Sequence, residues 1–174
     1  MSKVIGHHGC HRDFAEGLLS GRISLEQWRP SQNTYDWLGK GIYFWEGGRT
    51  RAAQWAKQQF GEQAAVIDAE IELGNCLDLL QDTHHRSIFG VFEGVRREYE
   101  EKGWSLPRNR GGRHDLDCLV LNQYMISAFQ TGEPFQTIRG VFEEGEPLFP
   151  GSAIRAQAHI QIAVQDYRCI HIRS

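Results

Sequence analysis

Apolar positions along the chain change their period several times, and each change marks an element. Val4-Ile5-Gly6 predicts a short opening strand. Asp13 to Leu19 carries Phe14, Ala15, Leu18 and Leu19 at helical spacing, and Gly21 supplies a stop. Ser24 to Trp28 adds a helical turn before Pro30, and the polar run Ser31 to Asp36 is a loop. Two glycines, Gly39 and Gly41, then permit a close, twisted backbone approach ahead of Ile42-Tyr43-Phe44-Trp45, an apolar, aromatic strand. Glu46-Gly47-Gly48-Arg49-Thr50 breaks that strand, and Thr50 is placed to cap a helix carrying Ala52, Ala53, Trp55, Ala56 and Phe60.

The second half follows the same logic. Ala64 to Leu73 alternates as a strand does, and Gly74-Asn75 turns it into the apolar run Cys76 to Leu80. Thr83 to Lys102 is predicted helical, its apolar stripe made of Ile88, Phe89, Val91, Phe92, Val95 and Tyr99. Ser105 to Arg113, with Pro107, Gly111 and Gly112, is a loop. Asp115 to Phe129 has the spacing of a buried helix, with a strand start at Leu119 to Leu121 as the competing assignment. Pro134 to Phe142, His159 to Val164 and Cys169 to Ile172 predict strands, and the acidic, Pro- and Gly-containing run Glu143 to Ser152 a loop. The balance is α+β.

Composition narrows the picture only modestly. A chain of 174 residues is expected to form one domain, 1–174, with a real core. The formal net charge of −3 excludes a polycation, so nucleic acid would have to meet a local basic patch. Cys10, Cys76, Cys118 and Cys169 form no CxxC pair, which disfavours a zinc ribbon or finger; reduced thiols in a cytoplasm are the simplest expectation. No apolar run has the roughly 20 residues that a membrane span needs.

Two places carry candidate chemistry. The cluster His7-His8-Gly9-Cys10-His11 is open to three interpretations: ordinary polar residues at a strand end, a metal site, or a His-Gly ligand element in which imidazole meets a hydroxyl and bare glycine backbone meets an amide. Neighbouring His7 and His8 would face opposite sides of a strand, which weighs against the metal. The second place is the pair Tyr43 and Trp55, which either wall a slot for a flat ring or belong to the core.

Three separated segments together resemble the catalytic domain of the poly(ADP-ribose) polymerase branch of ADP-ribosyltransferases. His8-Gly9 with the Phe14 to Leu19 helix is similar to that family's first-strand His-Gly. Gly39-Lys40-Gly41-Ile42-Tyr43-Phe44 resembles its GxGIYF element, and Val66 to Asn75 the strand and turn that follow. The resemblance covers residues 4–80 and resumes at Gln161 to Asp166. It implies two packed small antiparallel sheets flanked by helices, and NAD as co-substrate with no metal. By the same resemblance His8 would donate to a nicotinamide-ribose hydroxyl, Gly9 backbone would pair with the amide, Tyr43 would stack on the nicotinamide, and Trp55 would be a second stacking ring. The family's glutamate is replaced here by Gln161, which can accept a hydrogen bond but brings no negative charge. Mono-ADP-ribosylation is then expected, or else a binding-only module for NAD or ADP-ribose. Glu143, Glu144 and Asp166 are candidate substitute acids. A bare domain of this kind resembles bacterial toxin-type transferases of toxin–antitoxin and anti-phage systems, which implies an RNA or protein acceptor and an antitoxin partner. Arg96, Arg97, Lys102, Arg108, Arg110 and Arg113, with Trp104 among them, are either a solvated face or a surface for phosphate and an unpaired base.

Overall fold

The long strand that opens the chain is the spine of the molecule. In the computed structural model, which describes residues 2–173, β1 (Lys3–His11) pairs along its whole length with β3 (Ala64–Glu72), from Lys3↔Glu72 to His11↔Ala64. The histidine cluster is therefore the second half of a nine-residue strand, which runs well past the expected Val4-Ile5-Gly6. Helix α1 (Arg12–Leu19) follows at once, and His11 Nδ1 accepts from the Asp13 amide at 3.2 Å to cap it.

The remaining elements are β2 (Ile42–Glu46), α2 (Arg49–Phe60), β4 (Cys76–Asp78), α3 (His85–Glu101), α4 (Asp115–Gln130), β5 (Thr137–Phe142), β6 (His159–Val164) and β7 (Ile170–Ile172). Residues 119–121 are helical, so the strand alternative there fails; Val120 and Leu121 are buried. Helix α2 starts two residues earlier than expected, with Gly48 as its N-cap and no side-chain cap, so Thr50 lies inside the first turn.

The strands form one seven-stranded mixed sheet in the order β4-β5-β6-β2-β1-β3-β7. This corrects the expectation of two packed antiparallel sheets. The β4–β5 pair is parallel and the rest are antiparallel. The two halves are joined by a short seam: β1 and β2 share only Gly6↔Glu46 and His7↔Trp45. Arg139 braces the β2 half, its guanidinium donating to Glu46 at 2.6 Å and to Asp78 at 3.1 Å.

Alternation of side chains sorts the core by face. Phe44, Ile67, Ile71, Ile162 and Ile170 line one face, under Ala15 and Leu18 of α1 and under Trp28. Leu38, Ile138 and Ala163 line the other, under Leu121, Tyr124 and Met125 of α4, with Ile88 of α3 beyond. Helix α2 covers β1 and β3 on that second face. Among the described residues no helix is long and apolar enough to cross a membrane.

Candidate active site

The short seam creates the site. Past His7↔Trp45, β1 keeps its pairing with β3 while β2 keeps its pairing with β6, so the two strands part company. A cleft of about 890 Å³ opens there. His8, Tyr43, Trp55, Gln161 and Glu144 all line it, although they come from β1, β2, α2, β6 and the loop before β6. Gly9 and Glu143 do not; Gly9 is buried beneath α2 and Glu143 is exposed. Asp166 caps the turn before β7 and pairs with Arg168 at 2.6 Å, away from the cleft.

Strand parity decides what the parting frees. The Gly47 amide donates to the Ile5 carbonyl at 2.9 Å, so Ile5 directs its backbone groups toward β2. Alternate residues do the same, so His7 and Gly9 also face β2, while His8 faces β3. Continued pairing would set Gly9 against Tyr43. Instead, the His8 ring reaches the Tyr43 carbonyl at 2.7 Å. The N–H and C=O of Gly9 are left without a β2 partner, beneath α2 where the two strands part. Only glycine fits there, because a Cβ would come 2.5 Å from the Ala52 carbonyl of α2.

A carbonyl can only accept, so His8 Nδ1 carries the proton. The ring packs edge-on to Trp28, with centroids 4.8 Å apart, and against Phe44. Burial there lowers the His8 pKa to about 4. The imidazole is thus neutral near pH 7, and its Nε2 is an acceptor. This reverses the donor role expected from the sequence: a ligand hydroxyl would donate to His8.

Tyr43 is anchored rather than free. Its hydroxyl donates to the Gly39 carbonyl at 2.5 Å and accepts from the Leu38 amide at 2.9 Å. Burial pushes the phenol well above its ordinary pKa. Trp55 is 36% exposed, so it is no core residue. Its aromatic neighbours are Trp45, with ring centroids 6.0 Å apart and planes at 48°, and Phe60, edge-on with centroids 6.0 Å apart.

The far wall is polar. His159 Nδ1 donates to the Gln157 carbonyl at 2.7 Å, which makes its Nε2 an acceptor for the Gln161 amide at 3.0 Å. Burial lowers the His159 pKa, in keeping with this neutral ring. Gln161 thereby keeps Oε1 for another partner. Glu144 accepts from Arg51 Nη2 at 2.5 Å and lies 3.8 Å from His159. Gln161 and Glu144 flank the same imidazole. Two donors on this wall are buried without a partner, Trp45 Nε1 and Arg51 Nε. Buried orphan donors are costly, and they are common where a site awaits a ligand. Cys10 also lines the cleft, but burial raises its thiol to about 11, so it is no nucleophile.

Sequence patterns passed over Arg51, Trp45 and His159. A signal existed for two of them. Arg51 lies four residues before Trp55, on the same helical face, and Trp45 shares the strand parity of Tyr43. Nothing local linked His159 to the cleft. No family model matches the chain and no curated protein matches it.

Proposed function

We propose that the chain is a NAD-dependent mono-ADP-ribosyltransferase that moves ADP-ribose to a macromolecular acceptor. One observation carries this. The His8 side chain takes the carbonyl that would have continued the β1–β2 ladder, which leaves the Gly9 backbone without its β2 partner where the strands part, beside a cleft lined by His8, Tyr43, Trp55 and Gln161. A free N–H and C=O on one residue complement a primary carboxamide, which both accepts and donates. The nicotinamide amide has that chemistry, and Trp55 offers its ring a flat wall.

The co-substrate supplies the reacting bond: the C1′–N bond breaks, and its electron pair leaves with the nicotinamide nitrogen. The chain's residues would orient and stabilise. His8 Nε2 and Gln161 Oε1 accept from ribose hydroxyls. Glu144 provides the negative charge beside the cationic sugar that Gln161 cannot provide. The acceptor atom closes the new bond to C1′ and gives its proton to Glu144 or to water. The orphan donors Trp45 Nε1 and Arg51 Nε suit oxygen atoms of the same ligand. The setting in keeping with these parts is a cytoplasmic bacterial toxin or anti-phage effector, held by an antitoxin protein.

Gln161 favours a second interpretation. Its amide is already satisfied by His159, as in a catalytically weak or inactive module that only binds NAD or ADP-ribose. Incubation with NAD labelled in the adenine ring, in cell extract, separates the two. The transferase releases nicotinamide and leaves label on macromolecules. Calorimetric binding of NAD without either product would establish the module, and the absence of all three would remove NAD from the account.

A further inference from the structure

The loop between α3 and α4 forms one lip of the cleft, and the chemistry above makes no use of its charges. Trp37 Nε1 donates to the Gly112 carbonyl at 2.8 Å, and the His114 amide donates to the Tyr35 carbonyl at 3.1 Å. Gly112, Tyr35 and Trp37 line the cleft itself. Arg110 and Arg113 exchange backbone hydrogen bonds across Gly111-Gly112, so the loop ends in a tight turn with arginine on both sides. Gly111 has φ +55°, the left-handed region that glycine enters without strain.

Arg108 and Arg110 are exposed and form no ion pair among the described residues. The Arg113 guanidinium lies 4.3 Å from the centroid of the Tyr35 ring, and Tyr35 is 38% exposed. Farther along, Lys102 lies 4.5 Å over the ring of Trp104, which is 57% exposed. Two unpaired arginines, on a lip whose exposed flat rings are faced by Arg113 and Lys102 while these pair with Asp115 and Glu98, match a strand of phosphates whose bases are unstacked. Arg29, also exposed, lines the cleft. A chain of net charge −3 offers nucleic acid little attraction elsewhere, so such contact would be local.

We propose that this lip binds the acceptor, and that the acceptor is a single-stranded nucleic acid. Arg108 and Arg110 hold phosphates, and Tyr35, backed by Arg113, stacks an unpaired base at the cleft mouth. The identity of the lip as an acceptor site rests on the transferase proposal; its binding of a single strand does not.

The test therefore begins without NAD. Anisotropy of fluorescent single-stranded RNA and DNA oligonucleotides is measured over a salt series with the full chain, beside a duplex. Single strands bind more tightly than the duplex. The double variant Arg108→Ala/Arg110→Ala binds at least about tenfold more weakly, and its log–log salt slope falls by about 1.4, two phosphates' worth. Tyr35→Ala weakens binding with the slope kept. Thermal melts show that the variants are folded. Absence of binding at low salt, or unchanged affinity in the double variant, overturns the proposal. So does label from NAD that protease removes and nuclease does not, which would mark a protein acceptor. Binding of the oligonucleotides without nicotinamide release supports the lip while defeating the transferase.

Discussion

Glu144→Gln is the most informative perturbation, because it removes a charge and keeps the shape. In the cleft Glu144 is held by Arg51 at 2.5 Å, and a glutamine oxygen can still accept that bond. What disappears is the negative charge beside the sugar. At an effective dielectric of about 20, a unit charge about 4 Å from a developing cation contributes about 4 kcal/mol, and about 2 kcal/mol at about 8 Å. The variant should therefore lose roughly 30- to 1000-fold in nicotinamide release. Because Gln161 and Glu144 flank the same imidazole, the charge can be returned from the other side. Gln161→Glu in the Glu144→Gln background should recover at least about tenfold. The assay is chromatographic release of nicotinamide, with NAD affinity by calorimetry and melting curves beside it. Two results would refute this account: full activity in Glu144→Gln, or a folded, NAD-binding double variant no better than the single.

Three further outcomes follow from the same geometry. Burial lowers His8 to about 4, so below its ordinary value of about 6.5 the unfolded chain takes up a proton that the folded chain refuses. That stability is complete above pH 6.5 and is lost as pH falls toward 4, by up to about 3 kcal/mol; His8→Gln should flatten that part of the urea-midpoint profile relative to wild type. A wild-type and variant pair with parallel profiles would mean that His8 is not buried as described. Gly9→Ala drives a Cβ toward the Ala52 carbonyl, so α2 must shift; chemical denaturation should show a loss of about 1–3 kcal/mol, and calorimetry a loss of NAD binding as Trp55 moves with the helix. Tyr43→Phe removes the partner of the Gly39 carbonyl and the Leu38 amide, so stability should fall by about 1–3 kcal/mol while NAD affinity stays within about threefold. A collapse in affinity without a change in stability would mean that the hydroxyl contacts the ligand.

Local pattern alone determined most elements of this protein. The helices of residues 13–19 and 83–102, the strand from Ala64 and the strand from His159 are all where their periodicity puts them, because a one-faced apolar stripe has a single stable use. Boundaries that depended on partners escaped it. β1 runs on through the histidines only because β3 offers nine matching positions, and α2 starts at Arg49 because Gly48 serves as its cap. Sheet number escaped it too: the two halves fuse through the Gly6↔Glu46 and His7↔Trp45 pairs, a contact between residues forty apart that no local spacing encodes. The site divides in the same way. Pattern singled out the His7 to His11 cluster, Tyr43 and Trp55, and the family resemblance added Gln161 and Glu144, but the direction of each hydrogen bond depends on neighbours. His8 became an acceptor because the Tyr43 carbonyl claimed its proton, and Glu144 parted from Glu143 because Arg51 lay within reach of only one. A side chain's capabilities are covalent and travel with the sequence, whereas its protonation, partner and exposure are set by what folding brings beside it.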